Sequence, residues 1–249
     1  MPEARADRSR LRVVFLPAML CDEELYRPQL EGLRDLIDPL VLTVAEATIA
    51  EAAVTVLREA PPRFLIAGTS YGGNLALEVV IRAPARVGGL WLMGCNPGPA
   101  SDPIAARKRN DRVQRGEFDA VVDELAATIV YEHGPHATDV ANSFRRMARL
   151  AGQTVFLRQN ASLLGRADRR SNLAQITCPT LIVWGRKDRL ARVEHGAEMA
   201  AKIPRGQLIV LDDCGHLPTL EQPDATVAVA REWLGLLGAM DNSRETRCR

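Results

Sequence analysis

The chain lacks an excess of charge of either sign: 32 Lys and Arg stand against 31 Asp and Glu, a formal net charge of +1 over 249 residues. Such a balance gives no support to a nucleic-acid or anionic-membrane partner. The densest basic run, Arg107-Lys108-Arg109, has no interleaved aromatic residue and reads as a solvated helix face. Paired cysteines are lacking too. Cys21, Cys95, Cys178, Cys214 and Cys248 are odd in number, widely spaced and form no C-x-x-C, which excludes a disulfide framework in favour of reduced thiols and a cytoplasmic setting. No apolar run approaches a membrane span, and the one behind the charged segment 1–12 is too short for a signal peptide. There is no internal repeat. His133 and His136 have no nearby Cys or second His pair to complete a metal site, so neither metal nor cofactor is expected.

What is present is a globular composition, 47% hydrophobic, long enough for one sizeable core. Short apolar runs at 11–16, 40–44, 64–67, 90–93, 180–184 and 208–211 alternate with longer amphipathic stretches. The runs are near-continuous rather than alternating, the pattern of strands covered on both faces. Helices are predicted at 23–36, 49–59, 74–82, 193–203 and 224–237. This βα repetition implies an α/β protein with a parallel sheet and right-handed crossovers. The rhythm breaks after the turn-rich Asn96-Pro97-Gly98-Pro99, where helical stretches at 104–115, 118–130, 138–151 and 154–164 follow without a strand. The expected organisation is a core at 11–96 and 173–238, a helical insert at 97–172 over the carboxyl edge of the sheet, and frayed tails at 1–10 and 239–249.

Residues 68–73 read Gly68-Thr69-Ser70-Tyr71-Gly72-Gly73, a G-x-S-x-G between a predicted strand and a predicted helix. A turn that sharp strains the serine backbone and exposes its hydroxyl, while Gly68 and Gly72 allow strand and helix to cross. A serine hydroxyl is a poor nucleophile unless a base removes its proton and an acceptor orients that base. Of four histidines, His195 sits among helix formers, His133 and His136 in the insert, and His216 directly after the last predicted strand. For the acid, Asp188 follows Trp184-Gly185-Arg186-Lys187 just past a strand; Asp212, Asp213 and Asp102 are the alternatives. The order Ser70, Asp188, His216 is that of triads built on this turn. An oxyanion needs donors, each worth about 2.7–4 kcal/mol of barrier. The Tyr71 amide, at a helix start, and the Met19 amide, in the loop after the first strand, are the candidates.

Together with Leu16-Pro17-Ala18-Met19-Leu20-Cys21-Asp22, Trp184-Gly185-Arg186-Lys187-Asp188 and Gly215-His216-Leu217-Pro218-Thr219-Leu220-Glu221-Gln222-Pro223, these residues resemble an α/β-hydrolase of the capped esterase and lactonase type. The histidine loop is similar to that of 3-oxoadipate enol-lactonases and haloperoxidase-like esterases. The resemblance implies a three-layer α/β-hydrolase fold whose first two strands are absent. That leaves about six mainly parallel strands, with 40–44 at the edge. It departs from the family at Pro17-Ala18, where His-Gly is usual. The implied activity is hydrolysis of a small-molecule ester or lactone through an acyl-enzyme. Carbon–carbon bond hydrolysis, acyl transfer or perhydrolysis use the same triad, and a hydrolase-like small-molecule receptor is the rival of another class. Phe144, Met147, Phe156 and Leu157 are candidates to line the pocket, and Arg145, Arg146 and Arg149 are expected to face solvent. Oligomeric state is not legible.

Overall fold

Successive side chains of a strand point to opposite faces, so an unbroken apolar run must be buried on both sides. Phe64-Leu65-Ile66-Ala67 does this: Phe64 and Ile66 enter one hydrophobic cluster, Leu65 and Ala67 the other. The computed structural model describes residues 10–247, of which 240–247 as backbone alone. In chain order it runs β1 (Leu11–Leu16), a 3-10 turn at Glu23–Tyr26, α1 (Arg27–Gly32), β2 (Ile37–Val41), α2 (Ile49–Glu59), β3 (Phe64–Thr69), α3 (Tyr71–Arg82) and β4 (Val87–Met93). It continues with α4 (Pro103–Gln114), α5 (Phe118–Ile129), α6 (Ala137–Leu164), a 3-10 turn at Leu173–Gln175, β5 (Thr180–Gly185), α7 (Val193–Lys202), β6 (Gly206–Leu211), α8 (Pro218–Glu221) and α9 (Pro223–Arg247).

The six strands form one sheet in the order β2-β1-β3-β4-β5-β6, and every pairing is parallel. Residues of α2, α3 and α7 cover one face; residues of α9 and of the segment α4–α6 share a cluster with the other. The chain order reverses between β1 and β3, which opens a crevice at the carboxyl ends of those two strands.

Three expectations need correction. The edge strand is Ile37–Val41, not 40–44. Its outer side has no strand partner among the described residues, so Pro39 removes no ladder bond there, and Asp38 and Pro39 stand exposed. Apolarity is a poor guide to such an edge; register is set instead by Ile37 opposite Leu11 and Val41 opposite Phe15. The helix predicted at 23–36 is a 3-10 turn followed by a six-residue α1. Pro28 cannot donate to the carbonyl four residues back, which breaks a continuous helix at that point. Elsewhere the segment's last two predicted helices meet where expected, at a non-helical Gly152 (φ 81°, ψ 170°), and are numbered together as α6, while α9 continues through Arg247, ten residues past its predicted end at 237. Cys248, Arg249 and residues 1–9 lie outside the described residues.

The α4–α6 segment is stitched to the sheet domain at its base. Arg166 donates to the carbonyls of Gly98 (2.9 Å), Pro99 (3.0 Å) and Leu163 (2.8 Å), tying the segment's entry to its exit. Buried Glu78 of α3 holds Arg82 at 2.5 Å and Arg169 at 2.8 Å. Arg145 pairs with Asp123, Arg149 with Asp119 and Arg146 with Glu24. Exposed pairs of this kind contribute at most about 1 kcal/mol each and orient more than they hold. Arg109 departs from the solvated basic face expected of it: it is half-buried, and burial lowers its pKa.

Close backbone approach, not helix propensity, limits substitution in this fold. A Cβ at Gly185 would run into the carbonyl oxygens of Gly215 and Cys214, whereas one at exposed Gly235 of α9 would meet nothing. Gly185→Ala is therefore expected to destabilise by about 3 kcal/mol, as overpacking does, and to lower Tm by roughly 6–12 °C. Gly235→Ala should stabilise by up to about 1 kcal/mol. Thermal unfolding followed by circular dichroism checks both, and equal effects would refute the close-approach argument.

Candidate active site

Ser70 leaves β3 with φ 54° and ψ −112°, a conformation that a residue with a Cβ adopts only under restraint. The restraints are visible. The Ser70 amide donates to the Met93 carbonyl at 2.8 Å, and the Ser70 carbonyl accepts from the amide and the Nδ2 of Asn74, each at 3.0 Å. Side chains at Gly68 or Gly72 would collide with the carbonyls of Gly72 or Leu16 respectively, so β1, β3 and α3 meet backbone to backbone. Tyr26, fully buried, locks this corner: its hydroxyl donates to Leu16 O at 2.8 Å and lies 2.9 Å from Thr69 Oγ1.

His216 and Asp188 are both buried and in contact, Nδ1 to Oδ2, at 2.7 Å. Asp188 Oδ1 is already occupied, accepting the amides of Leu190 (2.8 Å) and Ala191 (2.9 Å). The carboxylate is thereby fixed with one oxygen toward the ring, which makes Nδ1 the protonated nitrogen and leaves Nε2 as the basic one. Burial of the ring opposes its charged form, but Asp188, by charge and hydrogen bond, and Glu221, by charge, outweigh it; the His216 pKa stands above its ordinary value.

The ring lies against Gly94, next to the strand end that anchors the Ser70 turn. Gly94 follows Met93, the acceptor of the Ser70 amide, and has φ +54°. A Cβ there would lie 3.1 Å from both Cε1 and Nδ1 of His216. Only glycine satisfies both the left-handed backbone and the ring's proximity.

Glu221 was missed by sequence reasoning. Buried on α8, it accepts the amides of Gly215 (2.8 Å) and Tyr131 (2.9 Å) on Oε2 and of Leu217 (2.9 Å) on Oε1. It clamps the residues before and after His216, while the His216 amide donates to Ile129 O at 2.7 Å. A carboxyl five residues past the histidine was the available signal, since the amides of a buried loop must find acceptors.

Met19 lies in the loop after β1, and Tyr71 opens α3 directly after β3 and Ser70, the two strands being neighbours in the sheet. Neither amide has a protein acceptor among the described residues.

Comparison with known proteins bears on what this geometry belongs to. Residues 7–229 match the alpha/beta hydrolase family. The chain belongs to that family. Among its curated relatives, this alpha/beta hydrolase is 29% identical over 182 residues to the 2-hydroxy-6-oxononadienedioate/2-hydroxy-6-oxononatrienedioate hydrolase of Cupriavidus pinatubonensis; the match covers 70% of this chain and spans only 62% of the relative's length. It is 28% identical over 190 residues to the pimeloyl-[acyl-carrier protein] methyl ester esterase of Nitrosospira multiformis, covering 72% of this chain and 70% of that one. Among solved structures, the enol-lactonase of Burkholderia xenovorans superposes with a TM-score of 0.81 at 18% identity, covering 91% of this chain and 92% of that one, a likeness of fold.

The remaining expectations sort by position. Asp102 is exposed and caps α4 by accepting the Ala105 amide at 2.8 Å. Asp212 is exposed and pairs with Arg186 at 2.5 Å, and Asp213 is exposed, so neither faces the ring. His133 is exposed beside Glu132, His136 is exposed, and His195 is half-buried on α7. Phe144, Met147 and Phe156 are buried in the main hydrophobic cluster, with Leu157 packed against it. Cys95 is buried and its thiol pushed up to about 12, and burial likewise raises Cys21 and Cys214 well above an ordinary thiol. They behave as small hydrophobes.

The opposing influences on His216 can be separated. An NMR titration is expected to place its midpoint above the ordinary histidine value of about 6.5. Asp188→Asn removes the charge and leaves the desolvation, so the midpoint should fall by more than about one pH unit. An unchanged midpoint would mean that Asp188 does not control the ring.

Proposed function

We propose that this alpha/beta hydrolase cleaves a carboxylic ester or lactone through an acyl-enzyme on Ser70. The observation that carries the reading is the buried 2.7 Å contact of His216 with Asp188 at the sheet edge where Ser70 is held at positive φ. His216 takes the Ser70 proton as the hydroxyl attacks the acyl carbon and returns it to the leaving alkoxide. Asp188 keeps the proton on Nδ1 and steadies the imidazolium. The amides of Met19 and Tyr71 hold the oxyanion. Water, deprotonated by His216, then attacks the acyl-enzyme; its proton returns to Ser70 as the acid departs.

Segment 97–172 acts as a cap that helps to shape the pocket. The relative named as a methyl ester esterase supports the ester reading. A second reading, hydrolysis of a carbon–carbon bond in a dienoate, is favoured by the relative named for 2-hydroxy-6-oxononadienedioate. The ester comes first because, of the segment's arginines, Arg145, Arg146 and Arg149 are each matched with a carboxylate and so are not free to hold a dicarboxylate. A cytoplasmic location fits the free cysteines Cys21, Cys95, Cys178 and Cys214. Among the described residues no helix is long and apolar enough to cross a membrane.

Ser70→Ala is expected to reduce turnover of p-nitrophenyl acetate by at least about 10⁴-fold, with an unchanged circular dichroism spectrum. Retained activity would remove Ser70 from the mechanism. A panel of short and medium esters, lactones, thioesters and a 2-hydroxy-6-keto dienoate should give the highest kcat/KM for an ester or lactone; a preference for the dienoate would install the second reading.

A further inference from the structure

The loop that carries the Met19 amide is a strained turn. The Cys21 amide donates to Ala18 O at 3.0 Å, closing a β-turn over Ala18-Met19-Leu20-Cys21. Leu20, its third residue, has φ +64°, while Met19 is not at positive φ. These are the marks of a type II turn, in which the third position is ordinarily glycine. A leucine there favours the type I alternative, reached by flipping the Met19–Leu20 peptide through about 180°. The side chain of Leu20 is fully buried, so the residue cannot escape the strain by moving into solvent.

One side chain opposes the flip, and it comes from α6. The Leu20 amide, which belongs to the peptide that would flip, donates to Gln159 Oε1 at 2.9 Å. Gln159 Nε2 donates to Val44 O at 2.8 Å, and the side chain is almost wholly buried. Because each end of the amide has its own partner, Gln159 cannot rotate to donate to the carbonyl of the flipped peptide without setting its own Oε1 against Val44 O, acceptor against acceptor.

We propose that Gln159 is a positioning residue for the oxyanion site: by bonding the Leu20 amide and, through Nε2, the Val44 carbonyl, it anchors the Ala18–Cys21 loop on which the neighbouring Met19 amide lies. The proposal rests on the reading of Met19 and Tyr71 as oxyanion donors. It also supplies a hold on a loop that has Pro17-Ala18 in place of the family's usual His-Gly.

The test compares Gln159→Leu, Gln159→Asn and Gln159→Glu with wild type on p-nitrophenyl acetate, each corrected for folded fraction by circular dichroism. A fluorophosphonate that labels Ser70, read by mass spectrometry, reports the nucleophile separately. Leu fills the space without hydrogen bonds and Asn falls short of both partners. Each is expected to lose about 10- to 100-fold in kcat, somewhat less than outright removal of an oxyanion donor, with KM within about threefold, and to react more slowly with the phosphonate. Gln159→Glu presents an acceptor to Leu20 and, protonated in its buried site, a donor to Val44, and should recover kcat to within about threefold of wild type. Should one variant fail to fold, the other decides. A kcat within twofold of wild type for Leu or Asn, or a change in KM alone, overturns the proposal while phosphonate labelling of Ser70 leaves the serine mechanism standing. Absence of labelling in wild-type protein instead overturns the mechanism on which it rests.

Discussion

The 2.7 Å contact between His216 and Asp188 sets the terms for the rest of the structure. A buried imidazole resists charge, and only a fixed carboxylate beside it reverses that tendency. Fixing the carboxylate takes the amides of Leu190 and Ala191. Bringing the ring to it takes the approach of the β5 and β6 ends, where Gly185 has no room for a side chain. The histidine must also travel. It leaves β6 yet sits against Gly94, beyond β5 and at the end of β4. Adjacent strands are about 4.8 Å apart, so the loop folds back across roughly two strand spacings. Such a loop buries amides that the sheet no longer serves. Glu221 exists in this fold to receive them.

Much of the arrangement was legible in the chain because it depends on local pattern. Five of the six strands lie where continuous apolar runs placed them, since burial on both faces admits no polar alternation. The Ser70 turn was legible because Gly68 and Gly72 mark backbone contacts that no other residue permits. Asp188 and His216 were legible because each immediately follows a strand, and parallel strands bring their carboxyl ends together. Where pattern failed, position in the sheet overrode composition. β2 lies at an edge and can start with Ile37-Asp38-Pro39, which no apolar run announces.

Glu221 and Gln159 were illegible for a different reason. Their partners are backbone amides and carbonyls, which every residue carries and no sequence pattern marks. Glu221 serves Tyr131, 90 positions away, and Gln159 serves Leu20 and Val44, 139 and 115 positions away. A buried glutamine in a helix reads as surface until the fold puts something over it. Side-chain chemistry can be read along a chain; the demand of distant backbone groups for partners appears only once the chain is closed.

Those same bonds constrain how substrate can enter. Ile129, at the end of α5, accepts the His216 amide, and Tyr131 shares the carboxyl of Glu221 with the histidine loop. Gln159 of α6 holds the Leu20 amide. Lifting α5 and α6 together from the sheet would break all three contacts at once, freeing the histidine loop and the strained turn in the same motion. A segment that only excluded water could open as a rigid lid at little cost to the chemistry beneath it. This one is bonded to both sides of the crevice and is clasped at its base by Arg166. Opening by a whole-segment swing would therefore dismantle what the substrate enters to use. Motions smaller than the segment would keep those contacts, and α6 already departs from helical geometry at Gly152, seven residues before Gln159.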